Sequence, residues 1–174
     1  MRRVITNILI IILAFVLQTS VFPFLPFLVV SPNLLLIVVF VIGFLYGEKE
    51  GVLYGILAGL LMDAFYSGPF GYFTLIFGWI GFMNGFFSRY YFDEYIFLPI
   101  AMCGINEVIY NLLLFVVRYI LRRKTDFGYY LKTIILPEIM LTIIFALILY
   151  KPLLLLNSKM KKLDETKKGA KLVQ

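Results

Sequence analysis

Three carboxylates lie inside apolar stretches of this sequence: Asp63, Glu107 and Glu138. An acid in such a setting is costly to bury, so each position calls for a reason. Asp63 precedes the turn signal Ser67-Gly68-Pro69 by four residues. It is suited either to capping the helix that follows or to meeting a ligand or partner. Glu107 follows Asn106, and Asn111 comes one helical turn later on the same face. It suits a functional role by default, or a structural one with its carboxyl hydrogen-bonded to Asn84 or Asn111. Glu138 has the basic residues of the preceding connection as candidate partners, and Asn33, beside Pro32, suits an interfacial cap. A proton relay or a transport site needs several such groups converging on one cavity, and spacing alone does not establish convergence.

The rest of the catalytic repertoire is sparse. Histidine, the commonest general base and metal ligand, is absent from the sequence. The single cysteine, Cys103, allows neither an intrachain disulfide nor a cysteine metal cluster. Nucleophile motifs, phosphate-binding glycine loops and metal-ligand spacings are all missing. The expectation is a non-enzymatic protein with no cofactor, no metal and no catalytic residue.

The most regular pattern is a glycine series, Gly43, Gly47, Gly51, Gly55 and Gly59, each four residues apart and divided by Glu48-Lys49-Glu50. Glycines four apart share one helix face and let another backbone come close. In lipid, where apolar burial drives little association, that is a main packing device. The face serves either packing within the protein or docking of another protein. Gly81 and Gly85 repeat the spacing, with Gly78 about one turn earlier.

These residues need elements to hold them, and composition says which kind. Of 174 residues 62% are hydrophobic and 15% charged, with mean hydropathy +0.96; a soluble domain carries about a quarter charged residues. The class is an all-α membrane protein. No charge occurs between Val4 and Gly47, too long for one crossing, since about 20 residues suffice. Pro23, Pro26 and Pro32 divide it into spans over 4–22, read as an uncleaved first span, and 33–47. Further spans are placed at 51–66, 70–88, 95–121 and 132–156. Six spans put both termini on one side. With the N-terminus in the cytoplasm, that side holds 11 of the 16 Lys and Arg, as the positive-inside rule asks. The outer side keeps five, including the basic connection Arg122-Arg123-Lys124, a contact for headgroups or an acidic partner. The expected organisation is one six-helix domain over 1–156 and a flexible basic cytoplasmic tail over 157–174. The six lysines of that tail suit topology and anionic lipid headgroups better than nucleic acid.

Pro32-Asn33-Leu34-Leu35-Leu36, followed by Gly43, Gly47, Gly51 and Gly55, then Gly59-Leu60-Leu61-Met62-Asp63 and Gly68 and Gly71, resembles the rod shape-determining MreD family. The likeness extends over the chain, with its most specific part at 32–71. Where the family pattern often has an acidic residue, this chain has Asn33. The resemblance implies a scaffold of the bacterial cell-elongation machinery in the cytoplasmic (inner) membrane. It implies association with the bitopic protein MreC, linking MreB filaments to a RodA-type glycosyltransferase and a class B penicillin-binding protein. It also implies a fold similar to the substrate-binding subunits of energy-coupling-factor transporters. The alternative reading is therefore a substrate-binding subunit for a small, vitamin-type molecule.

Overall fold

The computed structural model describes residues 2–25, 30–66, 69–88, 97–122 and 127–172. Among them there is no strand. The first helix, α1 (Arg2–Val16), continues through a π turn (Leu17–Val21) and a 3₁₀ turn (Phe22–Phe24). The Thr19 hydroxyl donates to the Phe15 carbonyl at 2.7 Å inside that wide turn, a back-bond of the kind that bends helices. Pro23 stands at the start of the 3₁₀ turn, which ends the run.

Helix α2 (Leu34–Tyr46) starts at Asn33, whose side chain accepts from the Leu36 N–H at 3.2 Å. Every residue from Leu34 to Phe44 is buried. A helix hydrophobic all round belongs in the centre, and α2 is packed by elements from every other part of the described chain. Gly47, at φ 89°, reverses the chain in one residue and leads into α3 (Glu48–Phe65). Glu48 and Glu50 stand in the first turn of α3, where carboxylates suit the helix dipole. Helix α4 (Tyr72–Phe87) follows Gly71, also at positive φ, 93°, and α5 spans Phe97–Arg122. The last helical run comprises α6 (Phe127–Tyr130), a π turn (Leu131–Ile135) and α7 (Leu136–Leu172). That π turn falls just before Pro137, which has no N–H to continue the α pattern.

Helical runs thus occupy each of the six stretches assigned from sequence. Three are long and apolar enough to cross a bilayer: Arg3–Phe24, Pro99–Val117 and Phe127–Leu156. Leu34–Tyr46 and Tyr72–Phe87 are shorter apolar helices; at 13 residues α2 is about 20 Å long against a hydrocarbon core of about 30 Å. Helix α7 runs through residue 156 to Leu172, so the lysine-rich segment continues the same helix. The charged stretch from Arg89 to Glu94 lies outside the described residues, as do Ser67 and Gly68.

Polarity is inverted relative to a soluble protein. Leu53, Ile56 and Leu60 of α3, Leu75 and Trp79 of α4, and Ile144, Leu147 and Ile148 of α7 are exposed. Asn7, Gln18, Asn33, Asn84, Asn106, Glu107, Asn111 and Thr142 are buried. An apolar exterior around a polar interior suits lipid as the solvent.

Candidate functional site

The glycine series meets backbone, not open surface. A Cβ built on Gly51 would lie closer than 3.0 Å to the Gly81 carbonyl and to Gly43 Cα. On Gly55 it would strike the Phe77 carbonyl, and on Gly59 it would strike Thr74 Cα and the Phe73 carbonyl. From α2, a Cβ built on Gly43 would also lie too close to the Gly81 carbonyl oxygen, at 2.7 Å. The second series completes the seam, with Gly81 against Gly51 and Gly85 against Glu48. Backbones at this separation leave no room for any side chain, which is what small residues permit in lipid. Gly47 differs from the rest: a Cβ there would meet nothing, and its role is the positive φ of the turn.

Asp63 holds the entrance to α4. Its Oδ1 accepts from the Phe73 N–H at 3.0 Å. Its Oδ2 accepts from the Thr74 N–H at 3.0 Å and from the Thr74 hydroxyl. A carboxylate on the free N–H groups of a first helical turn is an N-cap supplied from another helix. It ties the end of α3 to the start of α4.

The other polar candidates form two interior sets. In one, Asn84 Nδ2 donates to the Ile80 carbonyl at 2.7 Å, and its Oδ1 accepts from Asn106 Nδ2 at 2.9 Å, joining α4 to α5. In the other, Asn111 Nδ2 donates to Glu107 Oε1 at 3.2 Å and to the Glu107 carbonyl at 3.3 Å. Glu107 is therefore bonded to Asn111, while Asn84 is engaged by Asn106. Asn33, Thr142 and Glu138 stand within electrostatic reach of the Glu107 carboxyl. The Asn33 N–H donates to the Thr142 hydroxyl at 3.0 Å, across 109 residues of sequence. Glu107, Asn33, Asn111 and Thr142 are fully buried, and Glu107 Oε2 has no hydrogen-bond partner within bonding distance. This set pins α2, α5 and α7 together at the bundle centre.

Of the basic connection, Arg122 closes α5, while Arg123 and Lys124 lie outside the described residues. Sequence reasoning missed Thr142, Asn7 and Gln18, single polar residues whose only signal is an apolar setting. It also missed the ion pair of Arg3 with Glu50, where the Arg3 guanidinium stacks 4.5 Å from the Tyr46 ring centre. Among the described residues no group of His, Cys, Asp and Glu is placed to hold a metal ion.

A family model, rod shape-determining protein MreD, matches residues 1–160. The chain belongs to the MreD family. Membership accounts for the apolar exterior and places the chain among the membrane proteins of rod-shape determination. In this MreD-family chain the resemblance-bearing stretch 32–71 is also the stretch that carries the α2 cap, the glycine seam and the Asp63 cap. No curated protein and no solved structure matches the chain significantly.

Proposed function

We propose that this chain is a six-span, multi-pass scaffold subunit of the cell-elongation complex in the bacterial cytoplasmic membrane, with both termini in the cytoplasm. It acts without catalysis. It associates with MreC and through it joins MreB filaments to a RodA-type glycosyltransferase and a class B penicillin-binding protein. The observation that carries the reading is the α3–α4 seam, where backbone meets backbone along the glycine series. In a member of a shape-determining family, sequence invested in fixing helices against each other suits a rigid platform for assembly. Six helical runs among the described residues and the uneven distribution of Lys and Arg, 11 against five, support the topology. The carrier reading has one observation in its favour, the cavity beside Glu138, and a binding site there is compatible with a scaffold.

Photocrosslinking in living cells tests this. Crosslinkers belong at outward positions, Leu53, Ile56 and Leu60 of α3 and Leu75 of α4, with buried Ile37 as the internal control. Capture of MreC from one outward face, together with restored rod shape in cells lacking their own MreD, is the expected result. Failure to capture MreC from any outward position, with no rescue of shape, ends the scaffold reading. Reporter fusions after Lys49 and after Phe70 check the topology: the first is expected in the cytoplasm, the second outside.

A further inference from the structure

A cavity of about 170 Å³ opens where the first, third and last connections of the bundle gather. Ser31 precedes α2, Tyr66 follows α3, Phe73 lies in the first turn of α4, and Tyr130 and Glu138 stand in the first turns of the last helical run; all line the cavity. Tyr110 of α5 lines it from the side. Its size is close to the roughly 150 Å³ that accommodates one benzene molecule. The lining combines four aromatic rings and one carboxyl with the Gln18 amide, the Ser31 hydroxyl and apolar side chains, and among the described lining residues there is no lysine or arginine. Glu107, wholly buried and not itself a lining residue, lies within electrostatic reach of Glu138. Rings present their negative faces to a cation, and a carboxylate beside them adds direct charge attraction. An anion finds no cationic side chain among the described lining residues.

We propose that this cavity binds a small alkylammonium group, held by Glu138 among the rings of Tyr66, Phe73, Tyr110 and Tyr130. The site goes beyond the scaffold reading and does not depend on it. Under the topology proposed above it faces the extracytoplasmic side. The ammonium could belong to a free amine or to a lipid headgroup, since both present the same chemistry at this level of the bundle.

The test uses the full chain in phosphatidylglycerol nanodiscs, titrated with choline and with its uncharged isostere 3,3-dimethyl-1-butanol. Choline is expected to raise the thermal midpoint in a saturable way, and the isostere to leave it unmoved. Glu138→Gln is expected to weaken choline binding about tenfold or more, the equivalent of one charge-assisted contact of about 1.4 kcal/mol. Tyr66→Leu, at a part-exposed position, serves as a second variant that leaves the helix core intact, and it too is expected to weaken choline. Repeating the titration in discs containing phosphatidylethanolamine separates the sources: a headgroup ligand competes with choline, and a free amine site is indifferent to the lipid. Equal shifts by choline and the isostere would overturn the proposal. So would no shift by either on folded protein, or choline binding unchanged in both variants.

Discussion

Alanine substitution along the glycine seam separates close backbone contact from a mere preference for small residues. At Gly55 the new Cβ would sit closer than 3.0 Å to the Phe77 carbonyl carbon and oxygen, which are backbone and cannot rotate away. Overpacking of this kind costs about 1–3 kcal/mol. Against it stands the helix-forming advantage of alanine over glycine, about 0.5–1 kcal/mol. The net is a loss of roughly 1–2 kcal/mol, a large fraction of the stability of a domain of ordinary size. Gly51→Ala should lose at least as much, since its Cβ would strike both Gly81 and Gly43. Gly78 is the internal control. A Cβ there meets only Ile56 Cγ1, at 3.4 Å, an ordinary contact with a side chain. Gly78→Ala should therefore be neutral or stabilising by up to about 1 kcal/mol. The assay is unfolding of the detergent-purified protein by heat or by dodecyl sulfate. It is followed through Trp79, the sole tryptophan, which lies on α4 itself. If Gly51→Ala and Gly55→Ala unfold together with Gly78→Ala, the seam is not the tight contact its geometry describes, and the reasoning fails.

Three further outcomes follow from the other candidate residues. Asp63→Ala removes both acceptors from the first turn of α4 and should cost about 1–2 kcal/mol in the same unfolding assay, with Asp63→Asn intermediate. Glu107→Leu strips Asn111 of its side-chain acceptor in a fully buried setting and should cost about 1–3 kcal/mol, whereas Glu107→Gln keeps an oxygen for Asn111 and should lose less; equal losses would show that volume rather than hydrogen bonding matters there. Reversing Arg122, Arg123 and Lys124 to glutamate should reduce MreC co-purification while leaving the membrane-inserted amount unchanged, and an intact complex would reduce that segment to a lipid contact.

The legible part of this protein is the part with local periodicity. Charge-free runs divided by prolines and charged turns located the helices, because a segment in lipid must satisfy its backbone within itself. The glycine spacing located a close helix face, and a second series of the same period, at Gly81 and Gly85, stood in plain view as its counterpart. A six-residue stretch, 66–71, joins α3 to α4, and helices joined so briefly are usually neighbours. That argument would have paired the two series from sequence. It also explains why Asp63, just before that connection, reaches the N–H groups of residues ten and eleven positions later. The extension of α7 through the lysines was less legible, because charged, lysine-rich sequence suits a solvated helix and a tail equally.

The polar interior was legible as a set of residues and illegible as a set of pairs. Lipid offers no partner to an amide or a carboxyl, so Asn33, Asn84, Asn106, Glu107 and Asn111 had to turn inward once their helices were placed. Which one meets which depends on rotations and heights of helices that no local pattern encodes. Asn84 therefore finds Asn106 rather than Glu107, and Asn33 finds Thr142 from the far end of the chain. The same reasoning sets the order in which these contacts matter. The glycine seam joins α2, α3 and α4, helices that follow one another in sequence, so its contacts are cheap to form. The Asn33–Thr142 hydrogen bond instead joins the start of α2 to α7 across 109 residues of sequence. Closing a loop of that length costs more conformational entropy, and it is the central polar set, not the seam, that bridges this separation. A chain whose seam is intact and whose Glu107 is replaced by Leu should keep α3 and α4 together while the packing of α5 and α7 loosens, which protease accessibility at the two regions would resolve.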